Sequence, residues 1–225
     1  MKSLFLIAAY NESNIIQTVV ENLLKKGEQV LVINDGSSDS TGQILKKFGH
    51  KIFYCEHLVN LGQGAALQTG ILCARKLQPQ YLITFDADGQ HQSEDALSMV
   101  ESMDKNPQID ITLGSRFLGK AENISQSRLF TLKMAVLFTN IFSGIKLTDT
   151  HNGLRVMRKS FYQNFNFHHS GMEHASEILD YIALKNISFQ EFPVHIKYSE
   201  YSKSKGQSGH NSIKMALRLL GDKFL

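Results

Sequence analysis

The chain is 225 residues long, 42% hydrophobic and 20% charged, with only 3 prolines. That length can bury a sizeable core in one domain, and the composition excludes disordered, collagen-like and low-complexity classes. Net charge is +3 but uneven: residues 197–225 carry +4 and the rest of the chain −1. A nearly neutral body with a basic end leaves two readings, an anionic partner or a solvated helix face, and no nucleic-acid partner is expected.

Taken in chain order, Ser3–Ala9 is a continuous apolar run of strand length. Ile15, Ile16, Val19, Val20, Leu23 and Leu24 recur at helical spacing, and Gly27 stands where a glycine closes a helix. Val30–Asn34 predicts a second strand, 35–40 a polar loop, and a short helix ends near Gly49. Lys51–Cys55 predicts a third strand, Gly64–Leu77 a helix and Tyr81–Phe85 a strand. Ser93 is expected to cap a helix reaching Lys105, and Ile109–Gly114 to form another strand. Near-continuous apolar strands separated by amphipathic helices imply an α/β fold with a mainly parallel sheet covered on both faces.

The rhythm changes after Arg116. A polar stretch, Gly119–Ser127, precedes a long helix, Arg128–Ser143, and Asp149–Arg155 is expected to be a loop. Met172–Lys185 predicts a helix and Ile187–Lys197 a strand. A Ser/Lys/Gly-rich stretch, Ser199–Asn211, leads to an amphipathic helix, Ser212–Phe224, with Lys214, Arg218 and Lys223 on its basic face. That last helix has an interfacial character, and it could equally dock on the body or on a second subunit. The most membrane-like segment, Leu129–Leu147, has an uncharged centre of only 12 residues, against the roughly 20 a span needs. No charged and then apolar leader opens the chain, and Cys55 and Cys73 cannot build a secreted disulfide framework. The expectation is a cytoplasmic protein, peripheral on a membrane at most. One domain, 1–225, with a helical C-terminal elaboration accounts for the pattern.

In open α/β sheets ligands bind outside the carboxyl ends of the strands. Three polar clusters fall on that edge: Tyr10-Asn11-Glu12, Asn34-Asp35-Gly36-Ser37 and Asp86-Ala87-Asp88-Gly89-Gln90. Asp86 and Asp88 lie two apart where a strand runs out, so both carboxylates can face one side. With the Gln90 carbonyl they suit Mg²⁺ or Mn²⁺; a strand-end turn is the alternative, since Asp and Gly favour turns. An EF-hand starting at Asp86 fails, because its sixth and twelfth places hold His91 and Leu97. Asn60-Leu61-Gly62-Gln63-Gly64 could cradle phosphate, but no Gly-Lys-Ser/Thr follows, and a tight turn is the favoured reading. His168, His169 and His174 lack zinc spacing.

The runs Ala8-Ala9-Tyr10-Asn11-Glu12, Val32-Ile33-Asn34-Asp35-Gly36-Ser37-Ser38-Asp39-Ser40-Thr41 and Asp86-Ala87-Asp88-Gly89-Gln90-His91 resemble the family 2 glycosyltransferases. Gly114-Ser115-Arg116-Phe117 and Asp149-Thr150-His151-Asn152-Gly153-Leu154-Arg155 fit the branch of dolichyl-phosphate mannose and glucose synthases and their polyprenyl-phosphate relatives. The similarity covers about residues 3–210. It implies a GT-A (Rossmann-like) fold, with a nucleotide-sugar part at about 1–116 and an acceptor part at about 117–225. It also implies a nucleotide-diphosphate sugar donor, an inverting transfer, and a polyprenyl or dolichyl phosphate acceptor. Extension of a glycan or lipid-linked oligosaccharide is the alternative acceptor chemistry. A sugar-phosphate nucleotidyltransferase, or a silent nucleotide-sugar binder, ranks below both.

By this resemblance Ala8, Tyr10, Glu12 and Asp35 hold the nucleotide, Asp35 through the base. Asp86, Asp88 and Gln90 bind the metal on the donor diphosphate. Arg116 and Arg128, with Arg155 and Lys203, meet the acceptor phosphate or the diphosphate, and Asp149 is the candidate base, or else a loop cap. A homo-oligomer is left open. The sequence departs from the pattern at Asn34, where Asp is usual, at Ala8 for Pro, Gln63 for Lys, Gln92-Ser93 for Pro-Pro and Lys203 for Arg.

Overall fold

A computed structural model describes residues 1–143 and 145–198. Seven strands are present: β1 (Ser3–Ala9), β2 (Gln29–Asn34), β3 (Phe53–Glu56), β4 (Tyr81–Thr84), β5 (Ile111–Glu122), β6 (Arg155–Arg158) and β7 (Phe189–Lys197). They form one sheet in the order β3-β2-β1-β4-β6-β5-β7, parallel throughout except for β6, which runs antiparallel to both neighbours. The helices are α1 (Ile16–Lys25), α2 (Thr41–Lys46), α3 (Gln63–Leu77), α4 (Ser93–Lys105), α5 (Gln126–Ser143), α6 (Lys159–Asn164) and α7 (His174–Leu184). The expected α/β fold with a mainly parallel sheet is what forms.

The apolar runs are continuous because both faces of the central strands are covered. Side chains alternate across a strand. Phe5 and Ile7 of β1 and Val30 and Val32 of β2 therefore join α1 and α4 in one core. Leu4, Leu6, Leu31 and Ile33 point the other way, into a second core with α3, α6 and α7. Each fully buried Leu, Ile or Phe contributes about 1.5–3 kcal/mol relative to exposure. Helix α1 presents Ile16, Val19, Val20 and Leu23 to the sheet and ends at Gly27, whose φ of 79° only glycine adopts at no cost. Cys55 and Cys73 are free thiols 3.6 Å apart across the β3–α3 contact.

Several expectations are corrected. The strand expected at Ile109–Gly114 continues into the polar stretch 119–127, because β5 runs on to Glu122 alongside β7, with an irregularity in register between Ser115 and Lys120. The segment 149–155 ends in strand β6, and α6 follows it directly. Gln92, not Ser93, is the N-cap of α4; the Ser93 hydroxyl accepts from Lys26 Nζ instead. The stretch 199–211, the amphipathic segment 212–224 and Lys203 lie outside the described residues.

Strand β6 is what assembles the site. Because it is antiparallel, its first residue, Arg155, lies beside Thr84, the last residue of β4. Thr84 Oγ1 donates to the Gly153 carbonyl at 2.6 Å, and the Gly114 N–H donates to the Leu154 carbonyl at 2.9 Å. The segment preceding β6 is thereby fastened across the carboxyl edge of the parallel strands. On the opposite flank, α3 starts under the 169–171 loop, where the Gly64 and Ala65 N–H groups both donate to the Ser170 carbonyl.

A Cβ at Gly64 would overlap the His169 carbonyl oxygen, a backbone atom with no rotamer to escape into. Gly64→Ala is expected to destabilise the protein by about 1–3 kcal/mol in urea unfolding. A wild-type midpoint would show that the 169–171 loop does not clamp α3.

Candidate active site

The ends of β1, β2, β4 and β5 open into one cleft of about 1060 Å³. Its walls hold Ala8, Tyr10, Glu12, Asp35, Asp86, Asp88, Gln90, Arg116, Arg128 and Arg155, so the structure gathers nearly all the residues singled out from sequence. Asp149 is absent from that wall. The loop after β1 is tied to the loop after β2. Asn11, in the left-handed region at φ 54°, accepts from the Ser38 N–H, and the Glu12 N–H donates to Thr41 Oγ1 at 2.8 Å. Tyr10 is thereby left as an exposed ring on the cleft wall.

Asp86 and Asp88 form the acidic centre. His91 Nε2–H donates to Asp86 Oδ2 at 2.8 Å, and a Cβ on Gly153 would overlap the Asp86 carboxylate, so only glycine leaves it room. Burial works to raise the Asp86 carboxyl, but the His91 hydrogen bond and the nearby charge of Arg155 outweigh it and hold it low. Asp88 behaves oppositely: burial first, then the neighbouring Asp86 charge, pushes it up to about 6. Two carboxylates driven apart in this way repel one another, and a cation between them would relieve that repulsion.

The donor set suits a hard divalent ion. Both groups are oxygen donors, and Asp86 keeps 32% of its side chain open to the cleft. Among the described residues no three His, Cys, Asp or Glu side chains could by themselves hold an ion. Mg²⁺ or Mn²⁺ here would complete its shell with water and ligand oxygens. Gln90 meets Asp88 with its amide nitrogen, at 2.6 Å, and its own N–H donates to Asp88 Oδ1 at 3.0 Å. In this arrangement it orients Asp88.

Asp35 is more occupied than its expected contact with a base requires. His57 Nδ1–H and the Leu61 N–H donate to Oδ1, while Asn60 Nδ2 and the Gly62 N–H donate to Oδ2. An ionised carboxylate offers about four lone-pair sites, so a base would have to take the place of one of these donors. In this structure Asp35 shapes the 60–62 turn. The Leu61 and Gly62 N–H groups go to Asp35, and those of Gly64 and Ala65 to the Ser170 carbonyl, which fits a tight turn better than a phosphate cradle. Asn34 in place of Asp also has a local cause. Its Nδ2 donates to Glu56 Oε1 at 2.8 Å, where a second carboxylate would be repelled.

Arg116 and Asp149 form a buried pair. Asp149 Oδ2 accepts from Arg116 Nε at 2.6 Å and from the Arg116 N–H at 3.0 Å, while Oδ1 accepts from the His151 N–H. With its side chain 1% exposed and three donors upon it, Asp149 is the loop cap, not the base. Arg116 also donates to Tyr198 Oη at 2.7 Å and to the His151 carbonyl at 3.0 Å, so most of its fork serves the scaffold. Arg155 differs. It is buried and lines the cleft, and among the described residues no carboxylate pairs with it. Burial lowers it to about 10, which leaves it charged at neutral pH.

Several cleft residues escaped the sequence reading. His91 followed the acidic pair directly and received no role. Behind the cleft wall His57 holds Asp35, and Thr69 Oγ1 on α3 meets the other ring nitrogen of His57. His174 lines the cleft as a neutral ring, lowered to about 4 by burial and then by Arg155, with Nδ1–H donating to the Gly171 carbonyl. Tyr198 lay at a strand end with no motif around it.

Residues 5–165, well over half of the chain, match the family described as "Glycosyl transferase family 2". An uncharacterized protein of Methanocaldococcus jannaschii is 32% identical over 222 residues, covering 96% of this chain and 90% of that protein. The UDP-N-acetylglucosamine–dolichyl-phosphate N-acetylglucosaminyltransferase of Methanococcus voltae is 30% identical over 238 residues, covering 96% and 93%. Among solved structures, residues 1–349 of S. aureus TarS in complex with UDP-GlcNAc superpose with a TM-score of 0.62 at 17% identity. This chain is covered to 96% and spans 64% of that fragment, a likeness of fold alone.

Two outcomes follow from the charges. Asp149→Ala should cost about 3–5 kcal/mol in chemical denaturation, because it strands the buried Arg116. A variant as stable as wild type would restore Asp149 as a base candidate. Asp88→Asn, measured with chelator present, should stabilise the protein at pH 7.5 by about 1–3 kcal/mol. The folded carboxyl titrates near 6, against 3.8 ordinarily, so its ionisation costs nothing below pH about 4 and its full amount above 6. The gain should vanish in melts at pH 4; a gain independent of pH would contradict the assignment.

Proposed function

We propose, for a chain that belongs to glycosyl transferase family 2 and is thus a glycosyltransferase, that it moves a sugar from a nucleotide-diphosphate sugar to a polyprenyl or dolichyl phosphate, with inversion and with help from Mg²⁺ or Mn²⁺. The observation that carries this reading is the meeting, in one cleft at the carboxyl edge of the sheet, of a frustrated carboxylate pair and two arginines, Arg128 and Arg155, that among the described residues form no ion pair with a carboxylate.

In this reading Tyr10 offers its ring to the base of the donor and Glu12 lies beside it. A divalent ion held by Asp86 and Asp88 supplies, when bound, the positive charge that eases departure of the nucleoside diphosphate. Arg155, fixed by its strand next to the acidic centre, holds phosphate oxygens without reorganising. The acceptor phosphate attacks the anomeric carbon from the face opposite the departing diphosphate, which inverts it. A phosphate nucleophile is already ionised and needs no strong base. Asp149, bound up with Arg116, is consistent with that acceptor and unhelpful for a sugar hydroxyl.

Contact with a membrane surface fits the same acceptor. No helix among the described residues is long and apolar enough to cross a membrane. Helix α5 nonetheless leaves Phe130, Met134, Leu137 and Ile141 between 47% and 68% exposed, at helical spacing and with no acidic residue in its length. Its other side, through Arg128, Thr131 and Leu132, lines the cleft. A lipid phosphate entering beside α5 would keep its chain on the apolar stripe.

The test is transfer from a panel of UDP-, GDP- and dTDP-sugars to undecaprenyl phosphate, with product identified by mass. A sugar phospholipid should form with Mn²⁺ and not with EDTA, and Asp88→Ala should lose at least about 100-fold in rate. Undiminished turnover in EDTA would remove the metal from the reading. Transfer only to glycan acceptors would remove the lipid phosphate.

A further inference from the structure

The two arginines expected to meet phosphate are joined through one residue that neither motif contains. Tyr198 follows β7 and is 2% exposed. Its hydroxyl oxygen accepts from Arg116 at 2.7 Å, and its ring face carries the Arg128 guanidinium with the central carbon 4.9 Å from the ring centroid. Its own N–H donates to the Glu122 carbonyl at 3.2 Å, which fixes the backbone between β5 and the start of α5. A chain of contacts thus runs from Asp149 through Arg116 and Tyr198 to Arg128, and Arg116, Tyr198 and Arg128 all line the cleft.

The two ends of this chain are held by different physics. Arg116 is held through its N–H groups, by a carboxylate, a phenol oxygen and a carbonyl, so its charge is compensated and most of its fork is spent. Arg128 is held through its flat face. Attraction to a ring uses none of the five N–H donors at the guanidinium edge and leaves the full positive charge. Among the described residues no carboxylate pairs with Arg128, and its backbone N–H donates to Ser125 Oγ. An arginine steadied in this manner is prepared for an anion, and the edge it leaves free matches two phosphate oxygens at once.

We propose that Tyr198 is a positioning residue, which transmits the rigidity of the buried Arg116–Asp149 pair to Arg128 and presents Arg128 to the phosphate of the acceptor. The inference rests on the reading of the acceptor as a lipid phosphate. It divides the two arginines into a scaffold, Arg116, and a ligand-binding group, Arg128.

The test is binding of citronellyl phosphate, a short soluble isoprenyl phosphate, and separately of UDP, to the full chain by calorimetry. Tyr198→Leu, which loses ring and hydroxyl, should weaken citronellyl phosphate about tenfold while UDP affinity stays within about twofold. Tyr198→Phe keeps the ring and should weaken it about threefold or less. Arg128→Gln should weaken it at least as much as Tyr198→Leu, and the double variant should be no worse than Arg128→Gln alone, since one residue acts through the other. Tyr198→Met, of similar bulk without a π face, carries the same expectation should Tyr198→Leu not fold. Unchanged citronellyl phosphate affinity in Tyr198→Leu or Tyr198→Met, an equal loss for UDP, or additive losses in the double variant would overturn the role of Tyr198 and leave the acceptor reading standing. A wild-type protein that binds UDP and no citronellyl phosphate would overturn the acceptor reading, and the presentation of Arg128 with it.

Discussion

A carboxylate partly withdrawn from water has to be answered by the protein around it, and Asp86 is the charge around which this cleft is arranged. Left alone there it would be pushed toward its protonated form. It is answered by His91, by the field of Arg155 and by a glycine at 153 that yields the space a side chain would take. His91 comes from the loop after β4, and the antiparallel placement of β6 delivers the other two. Asp88 is met by Gln90 alone, and burial first, then the charge of Asp86, raises its carboxyl. Two acidic groups close together, with arginines on the same cleft wall, give the site its electrostatic character.

The other acidic residues of the motifs show a contrasting use. Asp35 and Asp149 have the same chemistry as Asp86 and Asp88, yet both are surrounded by donors from their own protein. Asp35 sets the turn that starts α3, and Asp149 anchors the guanidinium of Arg116. Both carboxylates thus brace backbone at the edge of the cleft, Asp35 at residues 61–62 and Asp149 at Arg116 and His151.

Much of the fold was legible because local pattern and burial agree. Two-sided apolar runs such as Ser3–Ala9 have no other stable home than a covered sheet, and α1 repeats its apolar residues at the helical period up to a glycine of positive φ. Strand β6 was not legible. Its four residues, Arg155–Arg158, include an arginine at each end and follow a polar loop, and what makes them a strand is pairing with β4 and β5, far off in sequence. The extension of β5 to Glu122 was hidden for a similar reason, since its polar residues are in ladder with β7 rather than in solvent loops. Ser93 has the composition of a cap, but the chain turns into α4 one residue earlier and its hydroxyl meets Lys26.

By itself the sequence determined most of the elements, that they alternate around a mainly parallel sheet, and that three polar clusters share the carboxyl edge, because all of this follows from periodicity and from the direction of parallel strands. It also identified the family, through motifs in their order. Only the tertiary structure decided which polar side chains remain available. Arg116 and Arg128 are the same residue type twelve positions apart, and one is spent on Asp149 while the other rests on a ring face. Whether a donor or acceptor is free depends on partners 30 to 80 residues away, and hydrogen-bond satisfaction in the folded chain is not written in any local pattern.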